Sequence, residues 1–117
     1  MMLTKAYVGL GSNLGDRKAN IRTGLDLIGT MGRDMTVSGL YETTPLGFGH
    51  QPRFLNAVCR ICTRMDAFRV FDELKKIEAT VGSQRSFING PRVLDLDLLV
   101  FGETVLESPG LKVPHPR

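Results

Sequence analysis

Several features typical of membrane and nucleic-acid-binding proteins are missing from this sequence. No apolar segment approaches the roughly 20 residues that cross a bilayer, and the N-terminus has no signal-peptide pattern, because Lys5 is followed by a short apolar run and then by polar residues. Lysine and arginine form no long run, although the net charge is +3. We therefore expect a soluble, cytoplasmic protein that binds neither nucleic acid nor membrane and suits a small anionic substrate.

Cysteine is scarce, and its two copies do not indicate a metal site or a disulfide. Cys59 and Cys62 have C-x-x-C spacing inside a segment in which apolar residues alternate. In a strand, an offset of three places them on opposite faces, where they cannot easily share a metal ion or a bond. We interpret them as reduced thiols of a cytosolic protein.

Length and composition indicate one globular domain. The chain has 117 residues, of which 42% are hydrophobic, and it contains no internal repeat or low-complexity tract. This is enough for a single core and too apolar for disorder. We predict one domain over residues 1–117.

Apolar periodicity predicts two helices within a mainly antiparallel sheet. Asp16 is the expected N-cap of a helix that reaches about Thr30, and Asp66 the expected N-cap of one that reaches Val81. The predicted strands are 5–10, 36–41, 54–63, the apolar run that ends at Phe101, and a short final strand. This order predicts an α+β fold, a ferredoxin-like αβ sandwich with helices packed on the sheet.

A glycine-rich segment, residues 11–16, follows the first predicted strand. Its spacing does not match the dinucleotide fingerprint G-x-G-x-x-G. Such a loop before a helix either cradles an anion or simply makes a tight turn. Both interpretations stay open.

Residues 42–52 form a second, longer predicted loop that contains His50, which we expect to be solvated.

Two carboxylates lie within the apolar run that follows Gly90-Pro91. In a strand, Asp95 and Asp97 share one face, about 6–7 Å apart at about 3.3 Å per residue. That spacing suits one or two hard cations presented to a polyphosphate. The alternative is that they pair with nearby arginine or lysine side chains. Arg92 precedes the two carboxylates closely enough to bind the same anion. The opposite face is entirely leucine: Leu94, Leu96 and Leu98. Because its neighbours are so apolar, we expect this strand to be central in the sheet.

Further candidates come from unusual placements. Phe54 and Asn56 share a strand face. The ring can stack on a flat heterocycle and the carboxamide can hydrogen-bond its edge; ordinary strand packing is the alternative.

Glu78 lies near a helix C-terminus, where the helix dipole disfavours a negative charge, so we expect a partner such as Arg85 or a ligand. His115 lies between two prolines in a fixed position, and a ligand role for it is open.

Taken together, the motifs resemble those of the 6-hydroxymethyl-7,8-dihydropterin pyrophosphokinase family. The resemblance covers nearly the whole chain in the family's order: residues 7–16 (YVGLGSNLGD), 41–45 (YETTP), 54–58 (FLNAV), 90–97 (GPRVLDLD) and 113–117 (VPHPR). The first and fourth blocks are the most specific.

The resemblance implies transfer of pyrophosphate from ATP to the pterin hydroxymethyl group in folate biosynthesis, with release of AMP. It implies four catalytic residues, Arg85, Arg92, Asp95 and Asp97. It also implies that the two aspartates hold two magnesium ions. The implied pterin-binding residues are Thr43, Pro45, Leu46, Phe54 and Asn56. The implied nucleotide-binding residues are Glu78, Arg85, Arg92 and His115. Members of the family are monomers, which sets the expectation here.

Three departures from the family pattern suggest an alternative function. Ser83 stands where the family has arginine, Asn89 where it commonly has an aromatic residue, and nothing follows Arg117, where relatives continue. The domain is therefore expected to be C-terminally short, which favours self-association, and a catalytically weak or inactive pterin- or nucleotide-binding remnant is the alternative. A small RNA-binding module is a third and weaker hypothesis, because the paired sheet aromatics of such modules are missing.

Overall fold

The computed structural model describes residues 2–44, 52–82 and 91–116. Its elements, in chain order, are β1 (Thr4–Ser12), α1 (Arg17–Gly29), β2 (Arg33–Val37), β3 (Tyr41–Thr43), β4 (Phe54–Thr63), α2 (Ala67–Val81), β5 (Asp95–Phe101), β6 (Leu106–Ser108) and β7 (Leu111–Val113). The predicted α+β class is confirmed. Neither described helix is long and apolar enough to cross a membrane.

Both helices begin and end where the sequence predicts. Asp16 Oδ1 accepts a hydrogen bond from Ala19 N at 3.1 Å, and Asp66 Oδ1 accepts one from Arg69 N at 2.8 Å. These caps satisfy backbone N–H groups that have no partner inside the first turn. The C-terminus of α2 is closed by Gly82, whose φ of 102° is readily adopted only by glycine.

The main sheet has five antiparallel strands among the described residues. Its order is β2-β4-β1-β5, with β3 also paired to β4. Strand β4 has the predicted bounds, and its alternation is as expected, with Ala57, Cys59 and Ile61 buried on the core face. The core lies between this face and the two helices. Its largest fully buried members are Ile21, Ile28, Ile61, Leu74, Leu94 and Leu96.

The predicted strand 36–41 is wrong in its bounds, because the chain forms β2 and β3 with a break between them. At the break, Ser38 N donates to Val58 O at 2.8 Å, and Ser38 Oγ accepts from Val58 N at 2.9 Å. The serine hydroxyl thus takes the place of a ladder carbonyl, and the backbone leaves the strand alignment. The two short strands pair with different parts of β4.

The prediction that the acidic strand is central is also wrong. Strand β5 lies at the end of the strand order and pairs with β1. Its leucines are buried because α2 packs against β5, and Leu94, directly before β5, lies close to Gly24 of α1. The outer edge of β5 is occupied by other groups. Leu96 N donates to Glu78 Oε2 at 2.7 Å, and Leu99 O accepts from His115 N at 2.8 Å.

The first predicted loop begins later than expected. Gly11 and Ser12 belong to β1, because they pair with β4, and Gly11 pairs with β5 as well. The turn follows at Gly15, whose φ is 76°. The expected short final strand is a hairpin of β6 and β7 that turns at Gly110.

Candidate active site

The acid pair lies where the alternation of β5 places it. Leu94, Leu96 and Leu98 are buried, whereas Asp95 and Asp97 are half-buried on the opposite face. The predicted shared face of the two carboxylates is therefore confirmed. Each carboxylate has a basic neighbour. Arg92 Nη1 is paired with Asp95 Oδ1, and His115 Nε2 lies 3.5 Å from Asp97 Oδ1.

The backbone of Arg92 is anchored by Asn13, a residue that the sequence analysis did not single out. Arg92 N donates to Asn13 Oδ1 at 2.7 Å, and Asn13 N donates to Arg92 O at 3.0 Å. The Asn13 side chain also donates to Pro52 O at 3.2 Å and is 1% exposed. Asn13 thus ties the segments before β4 and β5 to the end of β1. The sequence offered only a weak signal, an asparagine in the glycine-containing loop between a predicted strand and a predicted helix.

The negative charges of Asp95 and Asp97 repel each other. Burial raises the pKa of Asp97, and the nearby Asp95 raises it further, although His115, Lys75 and Arg92 act in the opposite direction. Two carboxylates that repel each other favour a bound cation, which relieves the repulsion and replaces lost water. Lys75, on α2, is another member of the site that the sequence analysis missed.

Glu78 has partners among the described residues, as its position near the helix end predicted. Besides Leu96 N, its carboxylate is bound by Lys75 Nζ at 3.2 Å. Burial is the largest influence on the pKa of Glu78 and raises it, and Asp95 adds to the rise, although Leu96 N and Lys75 act in the opposite direction. Glu78 thus fixes the outer edge of β5 between the two aspartates. Arg85, the suggested partner, lies outside the described residues.

On the other side of β1, the predicted pterin-binding residues lie together. Thr43 of β3 pairs with Phe54 of β4, and the Asn56 side chain donates from Nδ2 to Thr43 Oγ1 at 2.7 Å. Because Nδ2 is used in that hydrogen bond, Oδ1 is the end of the Asn56 amide that can accept a hydrogen bond from a ligand. Pro45 and Leu46, the other predicted members, lie outside the described residues, as does His50.

The sheet register places both halves of the site on one face. Asn56, Gly11 and Asp95 stand in one row across β4, β1 and β5, and Val58, Gly9 and Asp97 stand in the next parallel row. Neighbouring strands are about 4.8 Å apart, so the amide and the carboxylate of one row have backbones about 10 Å apart. A ligand of that length would reach from the ring of Phe54 to the acid pair.

A cavity of about 400 Å³ opens beside the acid pair. Besides Asp97, its lining includes both apolar and basic side chains: Phe71, Lys75, Leu98, Lys112 and His115. The Lys75 ammonium lies 5.3 Å from the centre of the Phe71 ring. An aromatic wall with cations at its rim suits a flat base that carries phosphates.

The donor set fits magnesium, although the part of the chain that the structure describes contains no group of three or more potential metal-ligating side chains. Magnesium is commonly held by one or two carboxylates, with substrate phosphates and water as the remaining ligands. Asp95 and Asp97 supply two such carboxylates on one face.

The site combines acids suited to a cation, basic side chains suited to phosphate, and an aromatic ring beside an amide. These features define an α+β enzyme that acts on phosphorylated small molecules. Comparison with known families agrees, since residues 7–117 match the family described as 7,8-dihydro-6-hydroxymethylpterin-pyrophosphokinase. The chain belongs to this family, and it is a pyrophosphokinase, as the sequence predicted.

Curated relatives support the assignment. The chain is 43% identical over 116 residues to the 2-amino-4-hydroxy-6-hydroxymethyldihydropteridine pyrophosphokinase of Pseudomonas aeruginosa, covering 97% of this chain and 72% of the relative. It is 39% identical to the protein of the same name from Bacillus subtilis, covering 96% and 68%. The folic acid synthesis protein fol1 of Schizosaccharomyces pombe is 39% identical, but only 15% of it is covered. Nothing in these comparisons favours an inactive remnant.

Proposed function

We propose that this chain transfers the terminal pyrophosphoryl group of ATP to the hydroxyl of 6-hydroxymethyl-7,8-dihydropterin, releasing AMP, as a step of folate synthesis. The observation that carries the proposal is the shared sheet face, on which Asn56 and Asp95 stand in one row. The strand order β2-β4-β1-β5, antiparallel throughout, supports a ferredoxin-like classification of the fold.

In this proposal, β3 and β4 read the pterin. The Phe54 ring stacks on the heterocycle, and the Asn56 carboxamide hydrogen-bonds its edge. Thr43 holds that amide in one orientation through the 2.7 Å hydrogen bond to Nδ2, which leaves Oδ1 to accept from the pterin. Pro45 and Leu46 are assigned to the same edge on the family resemblance alone.

The phosphates then lie over β5. Asp95 and Asp97 would hold magnesium, and we assign two ions to this pair from the family resemblance. When bound, magnesium neutralises triphosphate charge and aligns the reacting groups. Arg92 is paired with Asp95. We propose that it exchanges this partner for a phosphate oxygen when ATP arrives.

The nucleotide is assigned to the cavity beside Asp97. Phe71 supplies an apolar wall for the base, and His115 and Lys75 supply charge and hydrogen bonds near the phosphates. Glu78 contributes by holding Leu96 N, and thereby the position of both aspartates. Arg85 is assigned to nucleotide binding and catalysis by the family resemblance.

The bond changes follow from this placement. The pterin hydroxyl oxygen forms a bond to the β-phosphorus of ATP, and the bond between that phosphorus and the α,β-bridging oxygen breaks, so that AMP leaves. The hydroxyl proton passes to solvent. The chain contributes mainly orientation and electrostatic stabilisation, which is typical of phosphoryl transfer.

The test is a coupled assay for AMP release with dihydropterin, ATP and magnesium. We expect AMP from the parent, and a loss of about 100-fold or more in kcat from Asp97→Ala. Lys18→Ala, on the exposed surface of α1, is the control. ATP and pterin binding by the parent without AMP release would indicate the inactive remnant instead, and no binding of either would overturn the proposal.

A cytoplasmic location and a monomeric state also belong to the proposal. The free thiols of Cys59 and Cys62 are compatible with a reducing compartment. Fractionation and sedimentation at several concentrations test the two statements separately.

A further inference from the structure

Gly11 occupies the middle of the candidate site without contributing a side chain to it. It lies in β1, is buried, and stands between Asn56 of β4 and Asp95 of β5. Residues directly opposite one another in a sheet share a face. The missing side chain of Gly11 would therefore project between the amide assigned to the pterin and the carboxylate assigned to the phosphates.

Little space is left for even a methyl group at this position. A Cβ on Gly11 would lie 3.1 Å from Asn56 Oδ1 and 3.2 Å from Phe54 Cδ1. Ordinary van der Waals contact between such atoms begins near 3.5 Å, so both groups would have to move by a few tenths of an ångström. Phe54 and Asn56 therefore pack down onto the backbone of β1 because position 11 is glycine.

The groups that would have to move are held from behind. Asn56 Nδ2 donates to Thr43 Oγ1 at 2.7 Å and is 3.4 Å from Tyr41 O. Moving the amide away from β1 strains this hydrogen-bonded arrangement with β3. The conflict thus falls on the orientation of the amide and on the ring beside it, not on the hydrophobic core.

The two faces of β1 differ in a way that supports a role in binding. The core face carries side chains to the end of the strand: Ala6, Val8, Leu10 and Ser12. The other face changes from Lys5 and Tyr7 to Gly9 and Gly11 as it approaches the site. Glycine weakens a strand interior and often marks a place where a ligand approaches the backbone closely.

We propose that Gly11 is a specificity-determining residue for the pterin, because its bare backbone sets how low the Phe54 ring and the Asn56 amide sit beside Asp95. A side chain at this position would push the Phe54 ring and the Asn56 amide away from the backbone of β1. It would thereby narrow the space assigned to the pterin ring. The inference rests on the proposed function and adds to it a residue that makes no polar side-chain contact with the substrate.

The test compares Gly11→Ala with Gly39→Ala, at which a Cβ would meet nothing within 4 Å. Dissociation constants are measured for 6-hydroxymethyl-7,8-dihydropterin, with magnesium and a non-hydrolysable ATP analogue present, and for the analogue alone. Loss of one good hydrogen bond or of a well-stacked ring typically lowers affinity by about fivefold to tenfold, so we expect Gly11→Ala to weaken pterin binding by about that factor. We expect analogue binding to change less than about twofold, and Gly39→Ala to change neither constant.

A double-mutant cycle identifies the group through which the methyl acts. In the background Phe54→Ala, Gly11→Ala has one neighbour fewer to displace, so it should lower the melting temperature by less than it does in the parent. This second readout needs no bound ligand. Equal effects in both backgrounds would show that Phe54 is not involved and would contradict the inference.

The remaining outcomes are also decisive. Unchanged pterin affinity in Gly11→Ala overturns the inference while leaving the proposed function intact. Equal losses of pterin and analogue binding would show a general structural defect and would overturn it as well. A parent that binds no pterin would remove the proposed function, and the inference with it.

Discussion

Replacing Asp97 with asparagine should stabilise the metal-free protein while destroying its activity. Burial and the neighbouring Asp95 raise the pKa of Asp97 in the folded chain. A carboxyl with a raised folded pKa binds its proton more tightly when folded, so its ionisation opposes folding. The stability it contributes is present below the unfolded pKa, about 3.9, and is lost as the pH rises through the folded pKa. Asparagine carries no charge, so the Asp97→Asn variant does not lose stability in this way as the pH rises.

The expected gain follows from the geometry. Unit charges about 6.5 Å apart repel by about 2.5 kcal/mol at an effective dielectric constant of 20 and by about 0.6 kcal/mol in water. The side chain of Asp97 is 42% exposed, so solvent screening brings the value toward the lower figure. Nearby His115, Lys75 and Arg92 offset part of it. We expect a gain of about 0.5–1 kcal/mol at pH 7.5, or about 2–6 °C in Tm.

The assay is thermal unfolding in EDTA, at pH 7.5 and at pH 4, for the parent, Asp97→Asn and Asp95→Asn. The gain from Asp97→Asn should be present at pH 7.5 and should shrink toward zero at pH 4. Asp95→Asn is the matched control, and it should show no gain, because Arg92 loses its carboxylate partner. Addition of magnesium and an ATP analogue should reverse the order, since only a protein that binds them is stabilised by them.

Two results would refute this reasoning. A metal-free Asp97→Asn variant that is no more stable than the parent at pH 7.5 would show that neither burial nor the neighbouring Asp95 makes the ionised Asp97 destabilising. A gain of the same size at both pH values would show that the effect has another origin than ionisation.

Three further predictions concern other contacts. Gly32→Ala should lower the free energy of unfolding by about 2–3 kcal/mol in urea titration, because a Cβ there would lie 2.3 Å from Cys62 O; a change below about 0.5 kcal/mol would contradict this. A thiol reagent at pH 8 should modify Cys62 within minutes and leave Cys59 intact, because burial raises the pKa of Cys59 to about 11. Glu78→Ala should lower the free energy of unfolding by about 1–3 kcal/mol, because Leu96 N loses its acceptor; an unchanged urea midpoint would contradict that role.

The parts of the fold that depend on neighbouring residues could be predicted from the sequence. Asp16 and Asp66 cap helices whose first free N–H groups lie within three residues. The alternation of β4 and the shared face of Asp95 and Asp97 follow from strand geometry alone. The same local rules placed Phe54 beside Asn56.

The parts that depend on distant segments could not be predicted in this way. An apolar run is buried equally well by strands or by helices, so the leucines of β5 did not reveal that it is an edge strand. Asn13 became important only through Arg92, which lies 79 residues away in sequence. Lys75 entered the site because α2 packs against β5, and no motif marks it. The bounds of β2 and β3 depended on the hydroxyl of Ser38.

One irregularity in β5 separates the acid pair from the rest of its strand. Val8 pairs with Leu98 and Tyr7 with Val100, so Leu99 is an extra residue at a bulge. The extra residue reverses the alternation, and Phe101 turns into the core although it lies an odd number of positions from Leu98. An insertion or deletion after Leu99 therefore leaves Asp95 and Asp97 on the same face of the sheet. Conversely, no bulge separates the aspartates from the described residues directly before Asp95, so a one-residue deletion there would turn both carboxylates to the opposite face of the sheet.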